Sequence, residues 1–335
     1  MAARVSANHD LVELGDIDEL ARHADRLAAG GHWDDLDELR DLCRKALDRG
    51  KQLWPISARA EYLLALDAPG PWAARVLVDG AGRFTPGPLA EVAACNHGWD
   101  DIAPYLEPLT PSGAVFAHER VLRDEDLRDD DRVAPDVLEL PLALARWEPS
   151  YPLACYEADR ADFPFDGLTP DRLSSTRLPR AGTPIDDSES IRALRDLAGA
   201  WTNESNGRSE AVAVRGSAAS AIARLGVGGT LHVGEISPSE AMATVAWTAA
   251  SGGAHGRRRG MAAGRFAAWW TIAALTGMLD DWPVDEADLG DAASELRWYV
   301  WDAGAPTTGW SCRLAIEDPA DGFAWALSAT DAALL

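Results

Sequence analysis

Lysine is almost missing from this sequence of 335 residues: 31 residues are Lys or Arg, and all of them except Lys45 and Lys51 are arginine. Cysteine is scarce as well. Cys43, Cys95, Cys155 and Cys312 lie far apart and form no C-x-x-C or other metal-ligand spacing. That excludes zinc-ribbon and thioredoxin-type motifs and a small disulfide-stapled scaffold, so no metal is expected. Positive charge is short: 54 Asp and Glu leave a formal charge of −23. Nucleic-acid binding needs a basic face that releases counterions, and an anionic membrane repels a surface this negative, so neither is an expected partner. Long apolar runs are missing too. The longest, 266–279, has 14 residues, short of the about 20 that span a bilayer. Asp10, Glu13 and Asp16 interrupt any signal-like apolar core near the N-terminus. The expectation is a cytoplasmic protein with reduced thiols. The sequence has no G-x-S-x-G elbow, Walker loop, Rossmann fingerprint or EF-hand loop, and His118-Glu119 lacks the second His of a zinc-protease helix.

Apolar residues make up 47% of the chain, enough for sizeable cores, and the length suits two domains. The acidity is uneven. Residues 1–189 hold 20 basic against 37 acidic residues, and 190–335 hold 11 against 17. Residues 10–107 predict short helices at 16–29, 34–47, 56–66, 72–78 and 88–95, because apolar residues recur every three or four positions and glycines end the first two. Short connections predict antiparallel neighbours, solenoid-like or as a bundle. Gly31-His32-Trp33-Asp34-Asp35-Leu36 is echoed by His97-Gly98-Trp99-Asp100-Asp101-Ile102, 66 residues on. In each copy the Asp is placed to cap a helix start and the Trp to pack back on its first turn, as in a helical repeat of the HEAT type.

Residues 108–189 form an irregular stretch holding ten of the 20 prolines. Its aromatics (Trp147, Tyr151, Tyr156, Phe163, Phe165) mark chain wrapped on a surface, with a connector at 168–188. The run 137–144 alternates like an edge strand. Residues 190–335 predict an α/β domain. Its strands are expected at 210–215, 230–236, 241–248, 297–302, 310–317 and 323–328, the last three as a meander. The helix 260–279 is apolar almost all round and therefore buried. The expected fold class is thus α plus α/β: a helical N-terminal domain (1–107), the proline-rich wrap (108–189), and a C-terminal mixed-sheet domain (190–335) with a buried central helix.

The most distinctive chemistry lies at 251–260, Ser-Gly-Gly-Ala-His-Gly-Arg-Arg-Arg-Gly, just before that helix. Glycines let a backbone approach a ligand, a helix N-terminus favours anions, and guanidinium groups suit phosphate or carboxylate. Gly256, Arg257, Arg258, Arg259 and Gly260 are therefore anion-site candidates, unless the arginines pair with the protein's own carboxylates. His255, in the same loop, and Glu204, in the polar knot 201–208, are candidates for acid–base work. The six residues Arg257-Arg258-Arg259-Gly260-Met261-Ala262 resemble the R-x-x-G-x-A loop of GNAT-type acetyltransferases. The resemblance implies a strand–loop–helix unit whose N–H groups hold the pyrophosphate of acetyl-CoA. Gly260 and Gly264 read as a close-packing face, and Trp269 and Trp270 as a cover for the sheet.

Segments 201–208, 251–264 and the Trp-rich end together resemble hypothetical proteins of an uncharacterised actinobacterial family with no assigned activity. The excess of Arg, Ala and Asp is similar to that of GC-rich actinobacterial sequences in general. Two functions remain open. One is a binding or adaptor protein whose acidic helical surface takes a basic protein partner. The other is an enzyme taking an anionic ligand, CoA or another phosphate compound, at the arginine loop. No cofactor is required by the first, and oligomeric state is left open by both.

Overall fold

The structure, a computed structural model, describes residues 2–134, 137–164, 173–228, 230–303 and 309–332. These fall into two compact units. One comprises 1–138 and 153–163, the other 139–152 and 164–335.

The first unit is helical. Its elements are α1 (Ala2–Leu14), α2 (Ile17–Ala29), α3 (Trp33–Ala46), α4 (Trp54–Asp67), α5 (Gly70–Ala73), α6 (Leu89–Asn96), α7 (Trp99–Ile102) and α8 (Pro111–Val121). Asp16 caps α2 by accepting from the Glu19 N–H at 3.0 Å. The amphipathic α2 and α3 bury Leu20, Leu27, Leu36 and Leu39, while α4 is buried from Ile56 to Leu66 and forms the centre. α3 packs on α4, α4 on α6 and α6 on α8, so helices stack in chain order. The two Trp-Asp-Asp echoes share a start but not a length: Trp33 opens a helix of 14 residues, Trp99 one of four. The aspartates sit inside the first turn rather than at the cap, where they oppose the helix dipole, and Asp101 accepts from the Gly98 N–H at 2.8 Å. The helical unit runs on past residue 107 through α8 and takes back the hairpin β1 (Cys155–Tyr156) and β2 (Ala161–Asp162). Tyr156 ties it down, its hydroxyl donating to buried Glu91 at 2.7 Å. Gly87 makes room, since a Cβ there would lie 1.8 Å from that hydroxyl oxygen.

The second unit carries a seven-stranded sheet. It contains β3 (Ser174–Thr176), β4 (Thr183–Pro184), α9 (Ser188–Asp196), α10 (Gly199–Glu204), β5 (Arg208–Arg215), α11 (Ala218–Arg224), β6 (Leu231–Ile236), α12 (Pro238–Ala250), α13 (Met261–Leu275), α14 (Glu286–Glu295), β7 (Arg297–Asp302), β8 (Trp310–Asp318) and β9 (Phe323–Asp331). The order is β3-β6-β7-β8-β9-β5-β4, and every pairing is antiparallel, so the expected mixed sheet has no parallel pair among its described strands. Alternation sorts the faces. Val214, Trp301, Ala315 and Ala324 turn to α11. Trp325 turns the other way and donates its indole N–H to Asp187, which caps α9, at 2.7 Å.

Three local expectations are corrected. Residues 241–248 are helical, within α12, not a strand. Thr244, Val245 and Thr248 gave the run a β-branched look, but Ser237-Pro238-Ser239-Glu240 starts a helix. Ser237 Oγ accepts from the Glu240 N–H at 3.2 Å, and Glu240 accepts from the Ser237 N–H at 2.9 Å. Residues 137–144 form no strand. They are irregular chain, and from Glu139 on they belong to the sheet unit, with Pro141 and Ala143 giving their carbonyls to Arg265. Trp269 packs on Trp147, at 5.1 Å between centroids, because α13 lies chiefly against α12 and α9. Gly264 does mark the close crossing: a Cβ there would lie 2.3 Å from the Ala246 carbonyl oxygen of α12. Phe165 and the 168–172 part of the expected connector lie outside the described residues.

Candidate functional site

The arginine loop joins α12 to α13, two helices, so the strand–loop–helix order implied by the acetyltransferase resemblance is not there. Its glycines are explained by packing of backbone on backbone. A Cβ on Gly252 would lie 2.2 Å from the Gly256 carbonyl oxygen, and one on Gly256 2.4 Å from that of Gly252. Gly253, at φ +69°, sits on Trp201 and on Asp331 of β9. Trp201 donates to Ser251 Oγ at 2.8 Å, and the Ala254 N–H donates to Asp331 Oδ2 at 2.6 Å. Asp331 is fully buried, and its Oδ1 has no hydrogen-bond partner among the described residues.

Glu204 does meet the loop. One carboxylate oxygen accepts from the Arg257 N–H at 3.2 Å, and the other lies 3.6 Å from Arg259 Nη2, an ion pair half exposed to water. The His255 N–H donates to Ser205 Oγ at 3.2 Å while the residue itself is exposed. Arg258 is buried, at 8% exposure. Arg257 and Arg258, and Met261 and Ala262 in the first turn of α13, each have a further interaction within the chain. Gly260 has φ +92°, which permits the turn into the helix. The loop thus brings Glu204, Arg257 and Arg259 together, with the Arg259 charge paired to Glu204 and the Arg257 backbone N–H bonded to the same carboxylate.

Arg265, four residues beyond, was missed as a centre of structure. It and Glu148 are both fully buried. Arg265 Nε and Nη2 donate to the two Glu148 oxygens at 2.7 Å each. Trp269 Nε1, the Tyr151 hydroxyl and the Ala145 N–H complete the carboxylate, at 3.0, 2.5 and 2.9 Å. Burial alone would raise the Glu148 pKa; the hydrogen bonds and charge of Arg265, with Tyr151 and Ala145, more than offset it and hold the group below its ordinary value. The signal available in sequence was an arginine on an apolar helix face.

The helical unit presents a different arrangement. Trp99 at the start of α7, the following Asp100, and the acidic loop after α8 enclose a shallow groove of about 670 Å³. Asp126, Asp129, Asp130 and Asp131 line it with Arg132. Arg132 bridges Asp130 and Asp100 at 2.5 and 3.0 Å and lies over the Trp99 ring, 5.5 Å from its centroid. Trp99 donates its indole N–H to Asp130 at 2.6 Å. Arg128 pairs with Asp126 at 2.5 Å and pulls its pKa down to about 2. Asp130 is held lower still, chiefly by the hydrogen bond from Arg132, against burial and with help from Trp99. Asp129 and Asp131 stay exposed, so the carboxylates outnumber the arginines around Trp99. Among the described residues no group of His, Cys, Asp and Glu is placed to hold a metal ion.

An acidic stack of helices and an antiparallel sheet whose arginine loop is tied to its own carboxylates define an α+β protein of two units. The chain belongs to the family of unknown function DUF6183, which matches it over residues 18–333. No curated protein and no solved structure matches it.

Proposed function

We propose that this is a cytoplasmic binding protein, an adaptor whose helical unit takes up a basic segment of a partner protein. The observation that carries this is the groove at Trp99. Five aspartates converge there, and among the described residues Arg132 is the one cation in its lining. Such a field steers a cationic partner and repels a polyanion, which argues against nucleic acid and anionic membrane as partners. Among the described residues no helix is long and apolar enough to cross a membrane. The origin we infer is actinobacterial, from the near-exclusive use of arginine as the basic residue.

The test is a fluorescein-labelled peptide of alternating Arg and Ser, titrated with the full chain. Replacing Asp126, Asp129 and Asp131 by Asn should weaken binding at least tenfold at low salt. Added salt should erase most of the difference, because exposed charges are screened within about 10 Å at 0.1 M. No binding at low salt sinks the proposal.

A second function, an enzyme taking a CoA- or phosphate-containing ligand at Gly256–Gly260 with His255 or Glu204 as acid–base group, is favoured by one observation. Asp331 lies against Gly253 of that loop through its Oδ2, and its buried Oδ1 has no hydrogen-bond partner among the described residues. A rise in melting temperature with CoA, nucleotides or sugar phosphates would move the function there.

A further inference from the structure

Beside α5 and α8 the helical unit has a second concavity, of about 350 Å³, which the acidic groove does not use. Leu77 and Leu106 are among its lining residues, and Val78 and Tyr105 stand at it, 50% and 55% exposed. Single exposed apolar residues are ordinary, but apolar side chains gathered at one pocket mark interaction sites. Leu109, next to the lining residue Thr110, is 56% exposed and held at φ +56°. Two neighbours fix it there: Thr110 caps α8 by accepting from the Gly113 N–H at 3.2 Å, and Pro111 occupies the first turn. A non-glycine residue in the left-handed region, presenting a leucine to water, is strain kept where the surrounding structure imposes it.

The rim gives the sign of the occupant. Asp79 and Glu107 are exposed on it, and Arg75, the one cation among its described lining residues, is tied to Asp37 at 2.8 Å. We propose that this pocket seats the apolar face of an amphipathic basic helix from a partner protein, a helix-in-groove contact with aliphatic anchors. This rests on the basic partner proposed for the Trp99 groove and adds to it what holds the partner once the field has brought it in. At about 350 Å³ the pocket is near the small end of ligand clefts, about 300–1,000 Å³, which fits one or two side chains better than a nucleotide cofactor.

The experiment uses the full chain and three labelled peptides of 16 residues. One has Lys and Arg with a leucine stripe at i, i+3, i+4 and i+7, one has the leucines replaced by Ser, and one keeps the leucines with Gln for the basic residues. The Leu/Lys/Arg peptide should bind at least tenfold tighter than its Ser version. Val78→Glu, at an exposed position, should abolish that tenfold gain, its added charge acting alike on both basic peptides; Tyr105→Ser should abolish it too and leave the Ser version unchanged, with circular dichroism unaltered in both. Equal binding of the first two peptides, unchanged by Val78→Glu, overturns the pocket and leaves the groove standing. Equal binding of the Gln version supports the pocket and removes the basic partner. No binding of any peptide overturns both. A self-associated chain that Val78→Glu turns into monomer in sedimentation assigns the pocket to a second copy and overturns the proposal.

Discussion

The two units hold their most telling arginines differently. In the helical unit several pairs are local and wet: Arg22 and Arg26 share Glu19, Arg128 meets Asp126, and Arg132 meets Asp130, while Arg123 pairs with buried Glu119. The wet pairs contribute about 0–1 kcal/mol each and are screened by salt. In the sheet unit Arg265 reaches 117 residues back in sequence to Glu148, and neither side chain touches water. There the arrangement is all or nothing, because a buried charge left alone is costly while a fully satisfied pair holds one geometry. The difference separates what charge does. In the sheet unit it fastens the 139–152 segment to α13; around Trp99 in the helical unit Asp129 and Asp131 are left exposed.

That contrast breaks most visibly at Arg265. Arg265→Met should destabilise the protein by roughly 3–5 kcal/mol, since it strands the buried Glu148 carboxylate, and combining it with Glu148→Leu should recover most of the loss. Arg128→Gln in the helical unit should change stability by no more than about 0.5 kcal/mol. Urea denaturation of the three variants beside the unmodified protein measures both. A single-variant loss below 1 kcal/mol, on the order of a surface pair, would show that the two kinds of pairing are energetically alike.

Acid sharpens the same contrast. Glu148 is held below its ordinary value of 4.5 in the folded protein. Its contribution is therefore full above that value and is lost as pH falls through the lower, folded one. Melting temperature should decline on acidification below the ordinary carboxylate range, and the decline should flatten in the Glu148→Leu/Arg265→Met double variant. Asp126, though drawn to about 2, is fully exposed and should leave no comparable acid limb.

Much of this was legible in the sequence, and unevenly. α2 and α3 of the first unit were, because Leu20, Leu27, Leu36 and Leu39 recur with helical period and Asp16 and Gly30 bound α2, whereas α1 was not read. The meander of β7, β8 and β9 and the burial of α13 were legible for the same kind of reason, a period of two and an apolar surface all round. α12 was misassigned although its capping box is plain in Ser237 and Glu240, because β-branched content outweighed the start signal. At the candidate site the encounter of Glu204 with the arginine loop was readable as a charge complement. Glu148, Asp331 and the Trp99 groove were not. Each depends on residues brought together from 31 to 117 positions apart, and no local period encodes such distances. The wrap at 145–152 was expected as irregular chain on a surface and 137–144 as an edge strand, but the anchor of the segment is one carboxylate whose partner lies on a helix read only for its apolar face.

A small effect is expected at Leu109, and it tells surface function from surface packing. Leu109→Gly removes a left-handed leucine, which costs about 1–2 kcal/mol in that conformation, and adds backbone entropy to the unfolded chain, which takes back about 0.5–1 kcal/mol. With the side chain 56% exposed, little apolar burial is lost. Stability should therefore hold or rise by up to about 1 kcal/mol, read from the urea midpoint. The affinity for the leucine-striped basic peptide should fall two- to threefold in the same variant. A protein that becomes more stable and binds less well would have kept strain at Leu109 for the contact it makes. Loss of stability by more than 1 kcal/mol, of the order of a buried contact, would instead make Leu109 part of the helical packing and return the pocket to ordinary surface.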